Sequence, residues 1–167
     1  DQIQSNLFYA LDHAKLTNSD DIVFYSKELF AQKKYMTRLK EAIRECVEED
    51  CKGFRIVMQP IVETKSEVCD AAEVLLRFTH PEFGVISPMD FIPILENSKE
   101  IIRVGKWVID QSLQTLAKWR EQIGHMPLKR LQINVSYVQF KDPELLGYVV
   151  ERLDHYRLPH DAVMLEL

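Results

Sequence analysis

Cysteine, glycine and net positive charge are all scarce in this chain, and each scarcity closes off a class of protein. The three cysteines, Cys46, Cys51 and Cys69, are odd in number, with no C-x-x-C spacing and no His-x-x-x-His pair beside them. Neither a disulfide framework nor a zinc site is expected. Five glycines in 167 residues leave no G-x-G-x-x-G and no G-x-x-x-x-G-K-S/T loop after any predicted strand, which argues against dinucleotide-binding and P-loop folds. Lys and Arg number 21 against 26 Asp and Glu, a formal charge of -5. No chain-wide basic field therefore recruits a nucleic acid polymer or an anionic membrane. Apolar runs fall far short of the roughly 20 residues of a transmembrane helix, and no basic-then-apolar leader opens the sequence. A cytoplasmic protein without membrane contact from this segment is expected. Length is short as well: a complete α/β barrel typically needs about 250 residues.

What is present is an ordinary globular composition, 46% hydrophobic and 28% charged, whose apolar period changes along the chain. Leu7, Phe8, Ala10, Leu11 and Ala14 recur at helical spacing, residues 17–21 break the pattern, and residues 22–25 read as a short strand. That is too little for a core, and residues 1–25 are expected to be the tail of a preceding domain. Residues 26–49 read as one long charged helix with a narrow apolar stripe through Leu29, Met36, Leu39, Ile43, Cys46 and Val47. Such a helix suits a connection between domains, and Gly53 ends it, so a linker is expected over residues 26–53. Beyond it, strands are predicted over residues 54–62 and 68–78, with a loop over 79–88. Ser87 and Pro88 open a helix ending near Ser98, and a long amphipathic helix covers residues 100–122. A strand over 131–136, a helix opened by Asp142 and Pro143, and a last strand over 163–167 follow. This is the rhythm of a parallel sheet covered by helices, an α/β architecture in which a barrel and a doubly wound sheet both remain open.

Three predicted strands each hold an oxygen-bearing side chain in a buried pattern. Period two places Glu73, Leu75 and Arg77 on one face of the second strand. Gln132, Asn134 and Ser136 alternate with Leu131, Ile133 and Val135, a polar row that a strand covered on both sides does not tolerate without a purpose. Glu166 sits between two leucines. Two carboxylates and an amide oxygen, without His or Cys, form a hard-oxygen set suited to Mg²⁺, Mn²⁺ or Ca²⁺, and such an ion activates water and neutralises a phosphoryl oxygen. Plainer roles stand beside this one: Glu73 pairing with Arg77, Asn134 bonding to a neighbouring strand, Glu166 facing solvent. Trp107 and Trp119 read as helix-packing residues, His80 as a loop-shaping group, and Tyr137 and Phe140 as a cover for the sheet.

A set of short motifs carries a resemblance. Met58-Gln59-Pro60-Ile61, Ala72-Glu73-Val74-Leu75-Leu76-Arg77-Phe78, the run from His80 through Gly84 to Pro88, Phe91-Ile92-Pro93-Ile94-Leu95-Glu96, Gly105-Lys106-Trp107-Val108-Ile109, Ile133-Asn134-Val135-Ser136 and Leu165-Glu166-Leu167 occur in the order and spacing of the EAL-domain family. That family comprises cyclic di-GMP phosphodiesterases and inactive, ligand-binding relatives, and the match covers residues 54–167. Residues 1–25 resemble, over a shorter stretch, the closing helix and strand of a GGDEF (diguanylate cyclase) domain, through Ala10-Leu11-Asp12-His13-Ala14-Lys15 and Ile22-Val23-Phe24-Tyr25.

The resemblance implies the N-terminal part of a TIM-like barrel with one antiparallel strand, incomplete in this chain. It implies that Glu73, Asn134 and Glu166 are ligands to Mg²⁺ or Mn²⁺, that Arg77 grips a substrate phosphate, and that Gln59 contacts the nucleotide. The implied reaction is metal-assisted hydrolysis of one phosphodiester of cyclic di-GMP to the linear dinucleotide. Two departures stand out. The signature reads Glu-Val-Leu in place of Glu-Ala-Leu, a change that adds one branch beside the ligand. The family's later aspartate pair, catalytic lysine and downstream glutamate have no counterpart up to Leu167, so hydrolysis is not expected of this chain alone. A non-catalytic cyclic di-GMP receptor or protein scaffold is the alternative, and association of copies through the linker helix or an open barrel edge is a further expectation.

Overall fold

The computed structural model describes residues 2–16, 26–65 and 67–167; the strand expected over residues 22–25 lies outside them. The chain divides into two compact units, residues 1–42 and 43–167. In the first, α1 (Gln2–Leu16) buries Ala10 and leaves Ile3, Leu7 and Leu11, one helical stripe, exposed with Phe8. The start of α2 (Lys27–Glu48) belongs here too. This helix is continuous over almost the whole length its charge-and-stripe pattern predicts.

In the second unit α2 ends in a tight turn. Asp50 and Cys51 both take φ 59, and Gly53 takes φ 81, which brings Cys51 O to Phe54 N at 3.0 Å. At Gly53 a side chain is impossible as well as strained: a Cβ there would lie 2.5 Å from the Thr79 carbonyl oxygen. Gly53 O accepts from Thr79 N at 3.0 Å, so the chain enters the sheet already bonded to its second strand.

The sheet holds β1 (Phe54–Val62), β2 (Cys69–His80), β3 (Gly84–Ile86), β4 (Arg130–Asn134) and β5 (Val163–Glu166), in the order β1-β2-β4-β5 with β3 on the far end of β2. It is mixed: the rhythm of the elements alone predicted parallel strands throughout, whereas the family resemblance implied one antiparallel strand. β1 is antiparallel to β2, from Phe54 opposite Phe78 to Val62 opposite Cys69. The reason is the length of the connection. A parallel crossover takes a dozen or more residues, and residues 63–68 can only make a hairpin. From β2 onward the connections are long enough, and β2, β4 and β5 are parallel. They enclose α3 (Pro88–Ser98) and α4 (Ile101–Ile123), then α5 (Tyr137–Phe140) and α6 (Leu145–His155).

Three local expectations shift. The loop predicted over residues 79–88 contains β3, whose three residues are too few to show a period. The strand predicted to reach Ser136 stops at Asn134, because Ser136 caps α5. Asp142 does not begin α6 directly; its Oδ1 accepts from Glu144 N at 3.1 Å, making a turn ahead of the helix. The Ser87 cap is as expected, its Oγ accepting from Met89 N at 3.3 Å.

One face of the sheet forms the core. Phe54, Ala72, Val74, Phe78, Leu131 and Ile133 are buried there, and α3 and α4 lie against β2 and β1. Phe54 and Phe78 stack at 4.2 Å, and Phe91 of α3 meets both edge-on at 5.8 Å. Each such buried side chain contributes roughly 1.5–3 kcal/mol, so this trio is a main clamp between sheet and helix. α6 buries Leu145, Val149 and Leu153, and polar bonds also tie it and its flanking residues to α4: Arg152 pairs with Asp110, Tyr156 Oη donates to Asp110 Oδ1 at 3.1 Å, and Lys106 bridges Asp142 and Glu144 at 3.4 and 3.0 Å. The opposite face of the sheet carries the polar side chains.

Candidate functional site

Strand register, not sequence proximity, assembles that polar face. Glu73 on β2 is the register partner of Gln59 on β1 and of Gln132 on β4, and Gln132 is the partner of Met164 on β5. Register partners project to the same side, so a row crosses four strands. Two residues further along β4 and β5, Asn134 and Glu166 are partners on that same side. Asn134 Nδ2 donates to Glu73 Oε1 at 2.7 Å, a short bond to a charged acceptor. The alternate residues Val74 and Ile133 point the other way and are 3% and 2% exposed. Their burial is what holds the carboxylate and amide on the open face.

Two backbone and ion-pair clips keep the register. Val135 N donates to Glu166 O at 2.7 Å, tying the end of β4 to β5. At the opposite end, Lys129 Nζ bonds Asp70 Oδ2 at 2.7 Å and Lys129 N bonds Asp70 O at 2.6 Å. The Lys129 ammonium holds the Asp70 carboxyl below its ordinary range, and Asp70 raises the lysine in turn.

Arg77 lies four residues beyond Glu73 on β2, about 13 Å along the strand. Its Nη1 donates to Leu76 O at 2.9 Å; a guanidinium has five N–H groups, and this bond uses one. Arg77, Asn134, Ser136 and Glu96 line a cavity of about 430 Å³ whose other walls are largely apolar, among them Leu75, Ile92 and Val108. Gln59 is exposed on β1. The structure thus brings Glu73, Asn134 and Glu166 to one face with Gln59 beside them and Arg77 along the strand, and the bond from Asn134 realises one of the plainer roles open to it.

A divalent ion is matched by the chemistry of the donors. Glu73 and Glu166 offer carboxylate oxygens, and the Asn134 carboxamide, hinged against Glu73, offers Oδ1 on rotation. Three hard-oxygen side chains are half of the six that Mg²⁺ requires, the rest coming from water, substrate or other groups. No cluster of three His, Cys, Asp or Glu capable of holding a metal occurs among the described residues.

Sequence reasoning missed a support beneath this face. Ser136 and Gln139 form a capping box: Ser136 N donates to Gln139 Oε1 at 3.0 Å, and Gln139 N to Ser136 Oγ at 3.4 Å. The signal was readable, since Ser-x-x-Gln is the capping-box pattern. Tyr137 and Phe140, expected to cover the sheet, are 62% and 58% exposed. His80 does shape its turn, accepting from Glu82 N at 3.2 Å.

Comparison with known proteins bears on the family and the fold. The EAL domain family model matches residues 38–167. The chain is 33% identical over 114 residues to cyclic di-GMP phosphodiesterase PA2567 of Pseudomonas aeruginosa, covering 68% of this chain and 19% of the relative. It is 26% identical over 166 residues to the bifunctional diguanylate cyclase/cyclic di-GMP phosphodiesterase MucR of the same organism, covering 99% of this chain and 24% of that protein. A solved MucR phosphodiesterase structure, a complex with c-di-GMP, superposes with a TM-score of 0.70 at 28% identity, over 78% of this chain and 51% of the other. The chain thus spans about a fifth to a quarter of these curated relatives, and its fold is that of part of an EAL domain.

Proposed function

The chain belongs to the EAL domain family, and from that premise we propose that it supplies the metal-binding and substrate-gripping half of a cyclic di-GMP phosphodiesterase in a bacterial-type signalling protein. EAL phosphodiesterases depend on divalent metal as a family. In this reading Glu73, Asn134 and Glu166 hold Mg²⁺ or Mn²⁺, Gln59 contacts the nucleotide, and Arg77 grips a phosphate with its remaining N–H groups. Bound there, the metal supplies an activated water and neutralises charge on the phosphoryl oxygens. Arg77 fixes one end of the substrate against β2, and the apolar cavity wall excludes water from it. The observation that carries the reading is the 2.7 Å bond from Asn134 to Glu73 with Glu166 in register beside it: three hard donors from three strands on one open face.

The reading extends to the rest of the chain. Residues 54–167 are the barrel portion, residues 26–53 the linker, and residues 1–25 the end of a GGDEF-like domain; the match of 99% of this chain to a relative named as a bifunctional diguanylate cyclase and phosphodiesterase supports the last. A cytoplasmic location fits three free cysteines and the lack of any described helix long and apolar enough to cross a membrane. The receptor alternative rests on Glu-Val-Leu, in which the added branch of Val74 packs into the core while the Glu73 carboxylate is kept. The test is to incubate the full-length protein with cyclic di-GMP and Mg²⁺ or Mn²⁺ and to follow the linear dinucleotide by chromatography. Turnover by the wild type and its loss in Glu73→Gln are expected; tight binding with no turnover in the wild type would establish the receptor instead.

A further inference from the structure

α5 has four residues, far too few to be helical by local propensity. It begins three residues after Asn134, with Ser136 as its cap, so whatever fixes its first turn also fixes the strand end that presents Asn134. The capping box does this, and its Gln139 side chain is only 4% exposed, unusual for a residue on a surface turn. Its seat is on another element. A Cβ built on Gly105 in the middle of α4 would lie 1.7 Å from Gln139 Nε2 and 2.9 Å from its Cδ. Gly105 has no positive φ, so the backbone does not call for glycine there, and a glycine inside a helix costs about 1 kcal/mol relative to alanine. The missing side chain is explained by the amide that fills its place.

We propose that Gln139, seated on Gly105, is a positioning residue for Asn134: its Oε1 holds Ser136 N and so fixes the carboxamide at the end of β4 in its position beside Glu73. Arg77, Asn134, Ser136, Gly105 and Gln139 all border the same cavity, so a shift of the amide reaches the proposed ligand and its surroundings together. The inference rests on Asn134 being a metal ligand, and its test is built to fail separately from that reading.

The full-length protein is compared with Gln139→Met, Gln139→Glu and Gly105→Ala. Gly105→Ala keeps Gln139 and favours the helix but drives the amide out of its seat. Mn²⁺ affinity is read by calorimetry, protection of the Ser136 amide by hydrogen exchange, and turnover by kcat and KM. Gln139→Met and Gly105→Ala are expected to weaken Mn²⁺ about tenfold, the lower end of the effect of losing a residue that orients a metal ligand, and to lower kcat with KM within about twofold. Gln139→Glu keeps an acceptor for Ser136 N and is expected to retain most of its protection and affinity. Mn²⁺ affinity within twofold of wild type in both Gln139→Met and Gly105→Ala, despite faster Ser136 exchange, would reduce Gln139 to a structural cap and overturn the proposal. If the wild type neither binds Mn²⁺ nor turns over the dinucleotide, the functional reading fails. The positioning claim is then decided by the Asn134 side-chain amide resonance: movement in both variants supports it, and an unchanged resonance overturns it.

Discussion

Replacing Val74 by alanine would restore the Glu-Ala-Leu signature of the family, and the structure predicts that this costs stability and leaves the site alone. Val74 lies opposite Met58 and Ile133 in the sheet and is 3% exposed, on the face away from Glu73. Removing two buried methyl-sized groups loses about 1.6 kcal/mol of transfer free energy at roughly 0.8 kcal/mol each. The void, about 40 Å³ if the core does not close, adds roughly 1 kcal/mol at about 24 cal/mol per Å³. The expected loss is therefore about 2–3 kcal/mol, or a fall in Tm of roughly 5–10 °C for a domain of this size. Urea unfolding and calorimetry of the full-length Val74→Ala protein give the stability, and affinity for cyclic di-GMP with the hydrolysis rate gives the site. Binding and turnover are expected within about twofold of the parent. A Val74→Ala protein that keeps its Tm and changes its turnover tenfold would refute the reasoning, because Val74 would then act on the site, through the cavity it borders with Asn134, and not on core stability.

Gly53→Ala should destabilise the α2 to β1 turn by at least about 1–2 kcal/mol, the cost of a left-handed residue, with more from the Thr79 carbonyl 2.5 Å away; an unchanged urea midpoint would contradict that close approach. Burial pushes the Cys51 thiol up to about 11 from an ordinary 9.0. The folded form then holds its proton while the unfolded form loses it, so this contribution to stability is intact below pH 9 and is lost as pH rises toward 11; Cys51→Ala should flatten the fall, measured by denaturation between pH 8 and 11. In thiol labelling at pH 8, exposed Cys69 should react first, and Cys46 and Cys51 only as the protein opens. The Asp70 carboxyl is depressed by Lys129, so the pair stabilises above the ordinary carboxylate range and fades as pH falls through the lowered value. Lys129→Met should lower the urea midpoint at pH 7, less so in high salt, and match the parent at pH 2.

Long periods were legible and short ones were not. The 23 residues of α4 and the nine of β1 hold several repeats of their pattern, and their limits in the structure fall within a residue or so of those expected. β3 and α5, with three and four residues, hold less than one convincing repeat each and exist because of what they bond to. The direction of β1 was available in principle from the six residues separating it from β2, since connection length decides pairing direction where strand pattern does not.

Alternation along each strand determined that Glu73 and Arg77 share a face, that Asn134 lies on the polar side of its strand, and that the donor set is all oxygen. Those facts follow from the two-residue period of a strand and from side-chain chemistry, and they need no partner. Tertiary structure decided the rest: that Glu73 stands level with Gln59 and Gln132, that Asn134 reaches Glu73 at 2.7 Å, that Val74 belongs to the core, and that Gly105 makes room for Gln139. Each of these joins residues 14 or more apart in the chain. Register and packing between separate elements create them, and no local pattern records where two distant segments will meet.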